Sequence, residues 1–439
     1  MSEDILRVIP SKLNLFNNAK INEVVEMGFD EEYFPIGFNK SDKDPVHFFY
    51  RGSEHWIDLG QSYVELELKF DGTDGASSPK DFKNATSAGF VNDIGNSIFS
   101  TISIKVNDSP VSITTEQYGY VAYIQNLLNY AYDYARMCGR PYLWNKDNSG
   151  KLDTLSDSAY TKRKEWVGSD NKLNGIMRIR SPLFTMPHYL MSFLNLDIVM
   201  DRQTNANYYM LQGSTGTFSI VIESAVLKVR KLKLLPSFVN GFENFLRTQT
   251  QYIEYPLTNS DIIVKTYSGI GTSLIEDNLF HGAIPSRIVC GFVGNSAFSG
   301  DRSKNPYNFS NVGITEVSIN VNGLAYPRSA ITCDFESGGN YVNLYHCFLS
   351  SLQSTSTTNT NAVNLSYDEY GSGFTLFSFD MSPDQYGNVN QNMFNTPANV
   401  QLKFKLKAGT TGATTLIVYH ESISRLVVNS ARQVQVFSK

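Results

Sequence analysis

The chain has 439 residues, of which 41% are hydrophobic and 18% charged, and its formal net charge is −5. This length exceeds one ordinary core and suits roughly two domains of ~200 residues, and the composition excludes a disordered chain. The acidic balance argues against a dedicated nucleic-acid-binding protein, whose affinity would come from clustered Lys and Arg.

Residues 1–29 are mixed and weakly periodic, and read as an N-terminal arm that orders only against neighbours. Their acidic start lacks a signal-peptide core, so secretion is not expected. His47-Phe48-Phe49-Tyr50 and Tyr63–Phe70 read as strands. The second alternates strictly, which turns one face to a core and the other to water or a partner. Asp71-Gly72-Thr73-Asp74-Gly75 ends it, a polar loop runs to about residue 95, and a strand follows at 102–107.

Tyr120, Ile124, Leu127 and Leu128 fall at helical spacing. They predict an inserted amphipathic helix over 115–137, capped by Thr114 or Thr115 and ending near Cys138-Gly139-Arg140-Pro141. A polar excursion with Asn148-Ser149-Gly150 and Lys162-Arg163-Lys164 comes next. Strands resume at Met177–Arg180, Leu194–Met200 and Phe218–Leu234. The densest basic run, Lys228-Val229-Arg230-Lys231-Leu232-Lys233, alternates with apolar residues, as in a strand with a wet face. Pro236 closes the first half. Phe238, Phe242, Phe245 and Leu246 then predict a short, stiff connector helix within 237–250.

The second half, 251–439, restarts with Ile253–Tyr255 and Asp261–Tyr267. Strands follow at Arg287–Val293, Glu316–Val321, Phe374–Phe379, Val400–Leu406 and Thr415–His420, with a helical piece at Tyr341–Leu349. Ser351–Asn364 reads as a surface loop. This half echoes the first in order. Ile102-Ser103-Ile104-Lys105-Val106-Asn107-Asp108 matches Val317-Ser318-Ile319-Asn320-Val321-Asn322-Gly323. Tyr120-Val121-Ala122-Tyr123 matches Tyr341-Val342-Asn343-Leu344-Tyr345. Leu183-Phe184-Thr185 matches Leu376-Phe377-Ser378, and Ile220–Ser224 matches Ile417–Ser422. About eight strands per half with long connections predict a mainly β chain of two tandem jelly rolls, 30–236 and 251–439, with a few inserted helices.

Enzyme signatures are sparse. His47, His55, His188, His281, His346 and His420 form no paired metal motif. Cys138, Cys290, Cys333 and Cys347 show neither Cys-x-x-Cys spacing nor a disulfide framework. Nucleophile-elbow, phosphate-loop and dinucleotide motifs are absent. Asp334 and Glu336 are the carboxylate pair to consider for glycoside hydrolysis, but the adjoining Gly338-Gly339 favours a loop. No stretch of ~18 apolar residues predicts a membrane span. No catalytic, cofactor-binding or metal residue is therefore expected.

The most specific strings lie in the second half. Asp277-Asn278-Leu279-Phe280 leads into Pro285-Ser286-Arg287-Ile288-Val289-Cys290-Gly291-Phe292-Val293. Asn295–Gly300, Lys304-Asn305-Pro306-Tyr307-Asn308-Phe309 and Asp334–Val342 follow, and Gly373–Asp380 closes the run. In the first half stand Trp56-Ile57-Asp58-Leu59, Tyr123–Tyr130 and Leu227-Lys228-Val229-Arg230-Lys231. Taken in order over roughly residues 30–430, the series resembles the hexon-like major capsid proteins of Polinton (Maverick) elements, adintoviruses and polinton-like viruses.

The resemblance implies a double jelly roll and a homotrimeric capsomer in an icosahedral double-stranded DNA virus shell. It also implies a single jelly-roll penton or minor capsid partner, and a virion protein made inside the host cell. Three chains of two similar barrels make a ring of six similar sides. Tyr307 and Phe309 are the aromatic loop residues offered for the trimer seam, against a plainer role in anchoring their loop to a core. A carbohydrate- or receptor-binding β-sandwich is the alternative, weakened by the unclustered Trp56, Trp144 and Trp166.

Overall fold

The computed structural model describes residues 24–40, 44–74, 81–113, 117–130, 137–250, 252–280, 284–336, 339–352, 363–382 and 399–438. The first half holds β1 (Val25–Tyr33), β2 (Val46–Tyr50), β3 (Trp56–Asp71), β4 (Ala88–Phe90) and β5 (Phe99–Val106). It continues with β6 (Ser109–Ile113), β7 (Lys172–Met177), β8 (Leu196–Arg202), β9 (Met210–Gln212) and β10 (Ser219–Leu234). The second half holds β11 (Tyr252–Tyr267), β12 (Ser273–Glu276), β13 (Arg287–Gly294), β14 (Ile314–Val321) and β15 (Leu324–Thr332). Then come β16 (Phe377–Asp380), β17 (Val400–Leu406), β18 (Thr414–Asn429) and β19 (Val434–Ser438).

The sheets are β1-β10-β3-β7 with β2-β8-β5-β6, and β11-β18-β13-β16 with β12-β17-β14-β15. With the β4–β9 ribbon and the added strand β19 set aside, each half has eight strands. In both halves one sheet runs first-eighth-third-sixth and the other second-seventh-fourth-fifth. All pairings between these strands are antiparallel. This is the jelly-roll weave, stated twice.

Local sequence explains the strands. In β3 the alternation buries Val64, Leu66, Leu68 and Phe70, while Tyr63, Glu65, Glu67 and Lys69 turn outward. In β13 the run Arg287–Val293 is buried on both faces, as an unbroken apolar string requires. The turns after β5 and β14 need positive φ, supplied by Asn107 and Asp108 and by Asn322 and Gly323.

The weave sorts the connections into two poles. At one pole lie the short turns, the helix Pro236–Phe245 and the 429–433 turn. There Asn107 Nδ2 donates to Arg432 O (2.8 Å), Arg432 Nε donates to Ser192 O (3.1 Å), and Arg432 pairs with Glu243. Leu235 N donates to Val24 O (2.9 Å), so the first roll begins and ends side by side. At the opposite pole lie the long connections between third and fourth and between fifth and sixth strands.

Several expectations are corrected. β1 starts at Val25 and pairs with β10, so the expected 1–29 arm donates its last residues to a sheet; residues 1–23 lie outside the described residues. The predicted 115–137 helix is Tyr118–Asn129, with N-cap Gln117 and no side-chain cap. It is buried almost all round, and only Gly119, Gln125 and Asn129 reach the surface, because it packs beneath both rolls. Thr114, Thr115 and 131–136 lie outside the described residues. The strand expected at Met177–Arg180 ends at Met177 and lies earlier, where Lys172–Met177 pairs with β3. The Leu183 echo is not a strand: Pro182 at its start nucleates a helical turn, Pro182–Thr185, whereas Phe377-Ser378 lies in β16. The other three echoes fall on equivalent elements. Most of the loop predicted at 351–364 lies outside the described residues.

Candidate functional site

The feature that most constrains function is the seam between the two rolls. The loop between β13 and β14 leaves the second roll and inserts into the first. Asn305 N donates to Asp153 Oδ1 (2.6 Å), and Asn305 Nδ2 donates to the Tyr160 hydroxyl (3.0 Å). The Tyr120 hydroxyl donates to Pro306 O (2.8 Å). Tyr307 stacks on Tyr123 at 4.2 Å and 3°, meets Tyr120 edge-on at 5.2 Å, and donates from its hydroxyl to Ser97 Oγ (2.8 Å). Burial pushes the Tyr307 and Tyr123 phenols well above their usual range.

Tyr307 and Phe309, offered from the sequence for the trimer seam, are thus covered within one chain, at 3% and 0% exposure. Phe309 packs on β13, where a Cβ at Gly291 would stand 2.7 Å from its ring, so only glycine fits. Their packing is internal because their loop crosses to the other roll rather than projecting outward.

Buried ion pairs stiffen each roll beside the seam, Arg163–Asp147 in the first and Arg287–Glu421 in the second. Arg163 and Asp147 form a fully buried ion pair at 2.6 Å, and Arg163 also donates to Phe90 O and Asn145 O. A pair this buried is costly to break from one side. Arg287 grips Glu421 with two nitrogens at 2.7–2.9 Å. A cavity of about 410 Å³ lies between the rolls, lined by Gln125, Asn129, Arg180, Ser260, Arg287 and Glu421 among others. Nearby, Asp93 is buried, accepts from Asn96 Nδ2 (2.8 Å) and Asn126 Nδ2 (2.6 Å), and is pushed up to about 7 by that burial.

The surface charges are organised too. The basic run on β10 is not a bare wet face. Lys228 meets Glu32 (3.3 Å) and Glu65 (2.9 Å), Arg230 meets Asp30 (3.2 Å), Lys233 meets Glu26 (3.1 Å), and Lys231 meets Glu31. β1 supplies most of these acids and has no fully buried residue of its own.

The enzymatic candidates do not assemble. Asp334 Oδ1 accepts from Glu336 N (2.9 Å) in a turn, and Glu336 pairs with Lys407 at the surface, so the two carboxylates do not face across a groove. His47 contacts Asp197 at 2.5 Å, and burial holds His420 below its ordinary range. His281 lies outside the described residues. Among the described residues no group of three or more His, Cys, Asp or Glu is placed to hold a metal ion, and no helix is long and apolar enough to cross a membrane. The three tryptophans are not all scattered. Trp144 and Trp166 line one cavity, a meeting that their separation of 22 positions in the sequence conceals.

No family model matches the chain. It is 23% identical over 346 residues to an uncharacterized protein of Caenorhabditis elegans, covering 75% of this chain and 77% of that protein. Among solved structures it resembles a chain of the Sputnik virophage, at TM-score 0.67 and 10% identity, over 98% of this chain and 92% of that one. The mavirus major capsid protein matches at TM-score 0.60 and 11% identity, over 98% and 95%. The Faustovirus major capsid protein matches at TM-score 0.60 and 9% identity, over 96% and 93%. The chain has the double jelly-roll fold of viral major capsid proteins.

Proposed function

We propose that this chain is a major capsid protein of the Polinton, adintovirus and polinton-like group, acting by self-assembly and not by catalysis. The observation that carries the reading is the repeated weave locked at one seam. Two equivalent rolls, held together by Tyr307 and Asn305, give one chain two similar sides at a set angle. Three such chains close into a ring of six similar sides, which tiles a shell as a hexagon does. Likeness to viral capsid proteins over almost the whole chain supports this, and a relative in an animal fits an element carried in host genomes.

The rolls divide at the 237–250 connector, the first running from β1 to residue 236 and the second from 251. The partners are further copies of the chain, first as a homotrimer and then as the lattice, with a single jelly-roll protein at the vertices. The protein is made in the host cell and ends in the virion. A carbohydrate-binding sandwich would leave the six-sided geometry without a use.

The test is size and shape. Purified protein should scatter light with the mass of three 49.2 kDa chains and show threefold, hexagon-like particles in negative stain. A monomer at high concentration across salt conditions would overturn the proposal.

A further inference from the structure

At the long-connection pole, the two fifth-to-sixth connections meet. Residues 139–166 of the first roll and 364–369 of the second enclose a cavity of about 330 Å³. That volume is in the range of small-molecule sites. Its lining includes Arg140, Trp144, Lys146, Lys162, Trp166 and Asn364.

The charges there are unevenly matched. Asp147 is engaged by Arg163 (2.6 Å), and Glu369 by Lys146 (2.8 Å). Arg140 and Lys162 remain without a carboxylate partner among the described residues. Among the described residues Arg140 donates to the carbonyls of Asn174 (3.1 Å) and Trp166 (3.4 Å), and its guanidinium stands 5.1 Å from the Trp166 ring centre. That stacking aligns its planar fork. Trp144 is 2% exposed, and its Nε1–H has no hydrogen-bond partner among the described residues. Its ring packs on Tyr123 and Tyr130 and forms part of the cavity wall.

We infer that this cavity binds an acidic saccharide, a sugar bearing carboxylate or sulfate. The partly exposed Trp166 indole offers an apolar surface to a sugar, amides and ammonium groups bond its hydroxyls, and Arg140 and Lys162, without a carboxylate partner among the described residues, take its anionic group. The site stands at the pole away from the connector, where the rolls differ most. It adds to the capsomer reading a way for an assembled shell to hold a host surface.

Tryptophan fluorescence tests this directly, because two of the three tryptophans line the cavity. The third, Trp56, packs on Phe242 at the other pole. The full-length protein is titrated with a heparin-derived hexasaccharide, 3′-sialyllactose, lactose and inorganic sulfate. At least one acidic sugar should give a saturable change, with lactose at least tenfold weaker. Arg140→Ala and Lys162→Ala should each weaken binding about tenfold, and Lys265→Ala, a remote exposed cation, should not. Lys162 is exposed, so its variant carries the test if Arg140→Ala does not fold. The inference is overturned if neither acidic sugar saturates, if both cavity variants bind like wild type, or if inorganic sulfate binds as well as the sugars. The assay reads the dissolved chain, so its failure leaves the capsomer proposal standing.

Discussion

Replacing Tyr307 by Ala removes a ring that is 3% exposed, stacked on Tyr123 and edge-on to Tyr120. Deleting a buried aromatic side chain costs about 3–5 kcal/mol. The paired rings place this site toward the upper end, since such contacts are each worth about 0.5–1.5 kcal/mol beyond burial. Tyr307→Phe keeps both ring contacts and loses only the bond to Ser97 Oγ, a change of about 1 kcal/mol. Urea unfolding followed by circular dichroism should therefore rank wild type, Phe and Ala in that order, with the Ala loss several times the Phe loss. Light scattering on the same samples separates two roles for the ring. A ring working inside the chain lowers stability in the monomer and trimer alike. The reasoning fails if Tyr307→Ala costs no more than ~1 kcal/mol, the scale of a surface change. It also fails if that variant unfolds like wild type but no longer associates, because the ring would then act between chains.

Two further outcomes follow from the charges. Glu31 is held below the usual carboxylate range by its hydrogen bond from Lys231, so its contribution is present above the unfolded carboxylate range and lost as pH falls through the lowered value. Hydrogen exchange, corrected for intrinsic rate, should show Val25–Tyr33 opening in acid or high salt before β11, for which the ion pair Glu254–Arg425 is the cross-strand counterpart; equal opening of both strands would refute the ionic attachment of β1. Asp93 has the opposite sign: its carboxyl is pushed up to about 7 by burial, so the folded state holds a proton that the unfolded chain releases near pH 4. Stability should fall from about pH 4 to 7, and Asp93→Asn should flatten that slope in melting curves taken across the range.

Much of the fold was legible because jelly-roll strands announce themselves by alternation. Tyr63–Phe70 and Val400–Leu406 bury alternate residues as written, and the Asn107-Asp108 and Asn322-Gly323 turns are visible as turn chemistry. What failed depended on neighbours distant in sequence. Val25, Met27 and Phe29 alternate over too short a run to stand out, and none is fully buried, because β1 is held by backbone bonds and by Lys and Arg of β10, about 200 residues away. The Tyr118–Asn129 helix looked amphipathic, yet aromatic rings from the second roll cover its other side. Tyr307 and Phe309, offered for the trimer seam or for anchoring their loop, are buried within the chain, and nothing local says that their loop crosses between rolls. The Trp144–Trp166 cavity left no periodic signal at all.

The meeting of Val24 with Leu235, at the start and end of the first roll, has a consequence for ancestry. A unit whose two ends lie together can be copied head to tail in a gene with little more than a splice between them. In the second roll β11 begins opposite the end of β18, where Tyr252 faces Asn429, so the copy retains the same property. A stretch as short as Pro236–Thr250 then suffices to join them, and lengthening of loops at the far pole leaves the join untouched. Each half can therefore drift in its outer loops while the join stays unaltered, so that the two rolls keep one weave although their far ends differ.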